Sequence, residues 1–343
     1  MTSEPLGRRR FLRRSLLAGA TLVLAHQYGV FGTVGRWLDP RRSAVGAVHC
    51  PDYTDTLLER AVPRLLEAAG LPAASGRTVV LKPNFVDHFE GRPVETDARL
   101  ILAVARHLGR LGAREVVVAE GPGNRNDLAP VLEASGLAAG LRRDNLRFVD
   151  LNYDDLDGLK TETLSDMATP SLLPRLSLPR TLTRAGLVVS MPKLKTHHHV
   201  GVTLSLKNLF GCVPGAKYGW PKNVLHWNVI ERSILEIYGT LRREVPMFAL
   251  VDGIVAMEGD GPLEGRPRQV GLLLAGEDLA AVDATAARVA GLDPSGIAHL
   301  AAAELLGLGR IAARHVSLSG DPLPPLSPFA VPEKFKHLVA VGQ

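Results

Sequence analysis

Apolar runs that stop at a charged residue beside glycine or proline recur along this chain, with helix-patterned stretches between them. Val79 to Leu81 ends in Lys82, 115–119 ends in Glu120, and Leu187 to Val189 leads through Met191 and Pro192 to Lys193. Met247 to Val251 ends in Asp252, and Val270 to Leu274 leads to Glu277 and Asp278. A strand apolar on both faces must be covered on both faces, so strands alternating with helices predict an α/β fold. The expected architecture is a mostly parallel sheet flanked by helices in Rossmann-like layers. In such sheets ligands bind outside the carboxyl ends of the strands. If all five strands are parallel, their charged ends gather at one edge.

The spacing predicts strands over 44–49, 78–81, 115–119, 146–149, 187–189, 247–251 and 270–274. Helices are expected over 54–69 (with Pro63 as a kink), 97–111, 128–133, 202–210, 224–241, 279–290 and 297–306. Residues 151–179 hold Pro170, Pro174 and Pro179 and read as a connection or an edge hairpin. The domain plan is therefore a leader at 1–25, a tether at 26–43, an α/β body at 44–310 and a proline-rich tail at 311–343. The body is either one unit or two lobes parted near 151–180. At 343 residues with 46% apolar side chains, the chain is long enough for either.

The densest chemistry lies in Leu187 to Gly215. Pro192 forbids a helix, and within seven residues follow Lys193, Lys195, His197, His198 and His199. On an extended backbone, alternation puts Lys193, Lys195, His197 and His199 on one face. Clustered cations cost free energy unless an anion, metal or acidic partner faces them. The helix expected next places Thr203, Lys207 and Gly211 on one side. His-x-His can ligate a metal, but the flanking lysines repel cations, so no metal ligand is expected here. The glycine-rich segment Asp252 to Gly265 can approach an anion with its backbone amides. It is neither a Walker loop nor a dinucleotide fingerprint, and no G-x-S-x-G hydrolase elbow occurs. Asp278 is placed to cap the following helix, and Asp283 falls in its first turns.

These segments resemble one family. PKLKTH at 192–197 and LKNLFG at 206–211 are similar to the family called domain of unknown function 362. KPNFV at 82–86, VDGIVAMEGDGPLEG at 251–265, AGEDLAAVDA at 275–284 and GLG at 307–309 extend the likeness over about Val79 to Gly309. The resemblance implies little chemistry, because the family's own is largely unassigned. Many relatives carry cysteine clusters for iron–sulfur centres; this chain has Cys50, Cys212 and no CxxC, so no iron–sulfur cluster is expected. Two cysteines make no disulfide scaffold, and the sequence leaves open whether they pair.

Within those motifs Lys195, His197, Lys207, Asp252 and Glu258 are the candidate catalytic residues. Lys82, Asn84, Glu120, Lys193, Asn208 and Asp283 are the candidate ligand-binding residues. The expected function is an enzyme acting on a small anionic substrate, with lysines holding the anion and Glu258, Asp252 or His197 moving a proton. The alternative is an anion-binding or accessory protein without turnover, linked to redox partners.

Charge location bears on partners. Arg8, Arg9, Arg10, Arg13 and Arg14 against Glu4 account for +4 of the formal net charge of +5. The body is nearly neutral, which predicts no nucleic-acid partner. The leader resembles a twin-arginine export signal: Arg8-Arg9-Arg10-Phe11-Leu12-Arg13, then an apolar run from Leu16 to Ala25. That run is too short to span a bilayer comfortably. The expected partners are thus the twin-arginine translocase and a small anion, with an exported or periplasmic location. Any membrane contact runs through the leader if it stays uncleaved.

Overall fold

The computed structural model describes residues 42–123, 128–164 and 171–339. The leader and most of the tether fall outside them. In chain order the first half comprises β1 (Ser43–His49), α1 (Asp55–Ala68), β2 (Thr78–Pro83), α2 (Ala98–Arg110) and β3 (Glu115–Glu120). There follow α3 (Leu128–Ala134), α4 (Leu137–Arg143), β4 (Arg147–Asp150), β5 (Leu156–Lys160), β6 (Arg175–Pro179) and α5 (Arg180–Thr183). The centre holds β7 (Leu187–Met191), β8 (Lys193–His197), β9 (Gly201–Thr203), α6 (Ser205–Asn208), α7 (Gly215–Tyr218) and α8 (Asn223–Trp227). The rest is α9 (Ile230–Glu244), β10 (Met247–Glu258), β11 (Arg266–Gly276), α10 (Leu279–Val289), α11 (Ala298–Leu305) and β12 (Val316–Gly320).

One ten-stranded sheet organises the molecule, in the order β12-β1-β11-β10-β7-β2-β3-β4, with β8 paired to β10 and β9. From β10 to β4 every neighbour is parallel. The strands are buried on both faces. Val79 and Leu81 pack in the core that contains Leu58 and Leu65 of α1 and Leu100 and Leu108 of α2. Val80, between them, joins the core on the other face with Ile234 of α9 and Ala280 of α10. That period-two division is why the strand sequences are apolar throughout rather than alternating. The mostly parallel, helix-covered sheet is the fold class read from the sequence. Among the described residues no helix is long and apolar enough to cross a membrane.

Four expectations change. β11 is antiparallel to β10, with Gly276 opposite Ala249, so Glu277 and Asp278 emerge at the sheet edge opposite the other charged ends. Asp278 there caps α10 through Ala281 N and accepts from Ser43 Oγ. The helix expected over 202–210 is instead β9, the single turn α6 and a 3-10 turn over Leu209–Cys212. The helix expected over 224–241 breaks at Val229, whose φ of 63° is strained for a β-branched residue. Asp252, expected at a strand end, lies inside β10, which runs on to Glu258; within the tail at 311–343, β12 pairs parallel with β1. The region read as a connection or edge hairpin forms a separate two-stranded antiparallel sheet, β5 with β6.

Candidate functional site

Pro192 shapes the site. It has no N–H to donate, and it interrupts the continuous strand that β7 and β8 would otherwise make. Its carbonyl accepts from Asp252 N, and the strand resumes on β10 with Lys193 opposite Asp252 but Lys195 opposite Met257. Two residues of β8 thus span five of β10, and the simple alternation expected for the cationic face fails. Lys193 and Lys195 enter different surroundings.

Lys193 lies in a closed ion pair. Its Nζ is 2.6 Å from Asp252 Oδ2 and 2.9 Å from the Tyr53 hydroxyl, which donates to Asp252 Oδ1 at 2.7 Å. Asp97 N also donates to Asp252 Oδ2, and Val255 N to the Tyr53 oxygen. Burial and the neighbouring Asp252 push the Tyr53 phenol well above its ordinary range. Neither Lys193 nor Asp252 reaches the cavity described next.

At the carboxyl ends of β2, β3 and β8 lies a cavity of about 260 Å³. Its lining includes Lys82, Asn84, Glu120, Lys195, His197, Lys207 and Asn208. Lys82 donates to Glu120 Oε2 at 2.7 Å, to Asn208 Oδ1 at 3.2 Å and to Pro83 O. Glu120 also accepts from Phe85 N and Gly121 N. Asn208 Nδ2 donates to Lys82 O and Ser190 Oγ, tying α6 to β2 and β7. A Cβ at Gly211 would collide with Glu120 Oε1 and Lys82 Nζ, so any side chain there would have to displace the Lys82–Glu120 pair.

Among the described residues, three further lysines have no carboxylate hydrogen-bond partner. Lys195 Nζ donates to Val94 O at 2.6 Å and Pro262 O at 3.3 Å. Lys222 Nζ donates to Gly121 O at 2.6 Å and Phe210 O at 2.7 Å. Lys207 Nζ sits 3.9 Å from the centre of the Phe210 ring. Burial lowers all three amines to about 7; nearby Lys82 adds to the effect at Lys207, and Glu95 partly offsets it at Lys195. The ring face favours the ammonium of a desolvated lysine by about 2 kcal/mol. At 1.36 kcal/mol per pKa unit that offsets part of the lowering by burial and leaves its direction unchanged.

Histidines complete the wall. Burial, with Lys207 and the adjoining histidines, holds His197 far below the usual imidazole range. His197 Nδ1 lies 3.0 Å from His199 N, so it accepts and the proton of the neutral ring sits on Nε2. The His198 and His199 rings lie 4.1 Å apart and tilted by 59°, and His226 meets Phe210 edge-on at 5.9 Å. Among the described residues no group of three or more His, Cys, Asp or Glu is disposed to hold a metal.

Two other expected site residues serve the frame. Glu258 binds Arg266 and Arg268 and accepts from Ala330 N, clasping the C-terminal segment away from the cavity. Asp283, fully buried, accepts from Ser205 N at 2.7 Å and Leu206 N at 2.9 Å and so caps α6 from α10. Burial pushes its carboxyl up to about 7. Cys50 and Cys212 are both free and buried, and burial raises their thiols to about 11 and about 12. Sequence reasoning missed Lys222 and Phe210. The signal available was a lysine after Trp220-Pro221, in a turn where Lys222 takes φ 66°.

The thylakoid-associated protein sll1697 of Synechocystis sp. (strain ATCC 27184 / PCC 6803 / Kazusa) is 32% identical over 249 residues, 69% of this chain and 70% of that protein. The lactate racemase apoprotein from Thermoanaerobacterium thermosaccharolyticum is similar at 14% identity and a TM-score of 0.45, over 74% of this chain. A Thermotoga maritima crystal structure is similar at 13% identity and a TM-score of 0.37, over 65% of this chain. The chain spans 58% and 56% of the length of those two structures. The profile of the family described as Domain of unknown function (DUF362) matches residues 79–288, and the chain belongs to that family.

Proposed function

We propose that this protein is an enzyme that binds a small anionic substrate in the lysine-lined cavity and moves a proton there. The observation that carries the reading is the convergence of Lys195, Lys207 and Lys222 on one cavity with no carboxylate among the described residues bonded to any of them. Buried cations left without a counter-charge are costly, and a bound carboxylate or phosphate would supply it. Lys82 is already matched by Glu120 and serves to fix the floor. Amines poised near neutrality can accept or donate a proton at physiological pH. Proton transfer therefore falls to these lysines, while His197, held neutral, can donate a hydrogen bond from Nε2. Asp252 and Glu258 are committed to ion pairs outside the cavity.

The leader extends the proposal. Export by the twin-arginine translocase would place the activity outside the cytoplasm. Replacing Arg8 and Arg9 with Lys should then hold the protein in the cytoplasm, and undiminished recovery from the cell envelope would overturn that part.

The anion reading is tested by thermal unfolding with phosphate, sulfate or citrate. A ligand that binds only the folded state stabilises by RT ln(1 + [L]/Kd). The melting temperature should rise with at least one anion in wild type and not in Lys207→Met. Equal response to chloride at matched ionic strength, or an unchanged response in the variant, would remove the site.

A further inference from the structure

Lys207 differs from every other lysine at the cavity. Lys82 is held by a carboxylate, an amide and a carbonyl. Lys195 and Lys222 each spend two N–H donors on backbone carbonyls and are at most 2% exposed. Lys207 Nζ has no hydrogen-bond acceptor among the described residues, and its side chain is partly exposed to the cavity. It lies against the apolar face of Phe210, which His226 braces from the side. Once deprotonated, that nitrogen carries a lone pair that no donor among the described residues takes up.

We infer that Lys207 is a nucleophile that forms an imine with the carbonyl of a small oxo acid, whose carboxylate is held by Lys195 and Lys222. The inference rests on the anion reading above and narrows it to anions that carry a ketone or aldehyde. An ammonium has three donors, so Lys195 and Lys222 each keep one for a carboxylate. The cavity of about 260 Å³ is several times the roughly 30 Å³ share of one water in the liquid, room for a molecule of pyruvate size.

The step balances without a redox partner. The amine nitrogen of Lys207 adds to the carbonyl carbon, and the C=O π pair goes to oxygen, which is protonated to give a carbinolamine. The carbon–oxygen bond then breaks as water leaves, and the nitrogen pair closes the C=N bond. The net change is amine plus carbonyl to imine plus water. Desolvation and Lys82 keep a share of the amine neutral at physiological pH, as an amine nucleophile requires. Among the described residues, the titratable groups that line the cavity with Lys207 are Lys82, Lys195, Lys222, His197, His198, His199, His226 and Glu120, and buried His299 also feels its charge; Glu120 is the one acid of that set, already bound by Lys82.

The test uses the full chain, with pyruvate and separately glyoxylate as probes, and sodium cyanoborohydride to reduce any imine to a stable amine. Intact mass should show one reduced adduct per chain, and peptide mapping should place it at Lys207. Lys207→Arg, which keeps a cation but no usable lone pair, should lose the adduct while melting like wild type. Lactate, which lacks the carbonyl, should stabilise the protein without any adduct. An adduct that maps to Lys195, Lys222 or scattered surface lysines, or persists in Lys207→Arg, overturns the inference. No adduct while lactate and pyruvate both stabilise also overturns it and leaves the anion reading standing. No adduct and no stabilisation by any anion removes both.

Discussion

Lys193 Nζ and Asp252 Oδ2 lie 2.6 Å apart between paired positions of β8 and β10, and neither residue is more than 2% exposed. The Tyr53 hydroxyl bonds to both, so every charge is answered inside the protein. Two residues further along the same strand, Lys195 is as deeply buried and, among the described residues, bonds only to backbone carbonyls. One lysine of the motif closes the sheet and the next opens onto the cavity.

Removing one partner of a buried pair leaves the other charge stranded. Lys193→Met should therefore destabilise by about 3–5 kcal/mol. Lys207→Met removes a cation with no counter-charge while keeping the aliphatic stem, so it should cost under about 1 kcal/mol or stabilise. Urea unfolding of both variants checks this. Equal losses would mean that Lys207 is also a scaffold ion.

The three amines give stability a pH slope of definite sign. Each has a folded pKa near 7 against 10.5 for an ordinary lysine, so between those values the unfolded chain binds more protons. Stability should then rise with pH from about 7 to about 10.5, and below that window, where both states hold the proton, the amines add no slope. Asp283, raised to about 7 from 3.8, acts oppositely between about pH 4 and 7. Denaturant midpoints across pH 7–10 should climb in wild type and climb less in Lys207→Met. A flat profile would contradict the buried, unpaired state of these lysines.

Anion binding should take up protons. An anion favours the ammonium forms, so binding at pH 8 should draw protons from solution and weaken as pH rises. Calorimetry of phosphate or citrate binding in buffers of differing ionisation enthalpy measures the uptake directly. Lys195→Met and Lys207→Met should each lose about 2–5 kcal/mol of binding if the contact is a desolvated charge pair. Binding with no proton uptake would contradict titration of the amines in the site.

Asp283 holds α6 by its first two amides, so Asp283→Ala should leave two buried N–H groups without partners. A loss of about 2–4 kcal/mol is expected, with Asp283→Asn milder because one oxygen remains. Because α6 carries Lys207 and Asn208, anion affinity should fall as well. Hydrogen exchange at Ser205 and Leu206 should quicken in the alanine variant; unchanged protection would deny the capping role.

Glu258 joins the long β10–β11 hairpin to residues 327–330 through Arg268 and Ala330 N. Glu258→Gln removes one ionic partner of Arg266 and Arg268. The segment around Phe329 to Phe335 should then become more sensitive to limited proteolysis, while anion binding changes little. A large loss of binding with an intact tail would return Glu258 to the site.

The sequence by itself determined the layers. Val79 to Leu81, 115–119 and Leu187 to Val189 are apolar without interruption, and only a sheet covered on both faces can bury them. It also determined that Lys82 and Glu120 stand at strand ends, because the change from apolar to charged is local. Tertiary structure decided the rest, since the sign and register of a strand pairing are properties of two segments. Antiparallel β11 carried Glu277 and Asp278 to the far edge, which no reading of 270–278 alone could show. The shifted pairing of β8 on β10 split Lys193 from Lys195, although the sequence spacing put them on one face. Lys222 reached the cavity through a left-handed turn more than a hundred positions from the Gly121 carbonyl it grips. Burial of an amine without a carboxylate is likewise a fact about neighbours: it exists only when α6, β2 and β8 enclose the same space, and that enclosure sets the charge of the site.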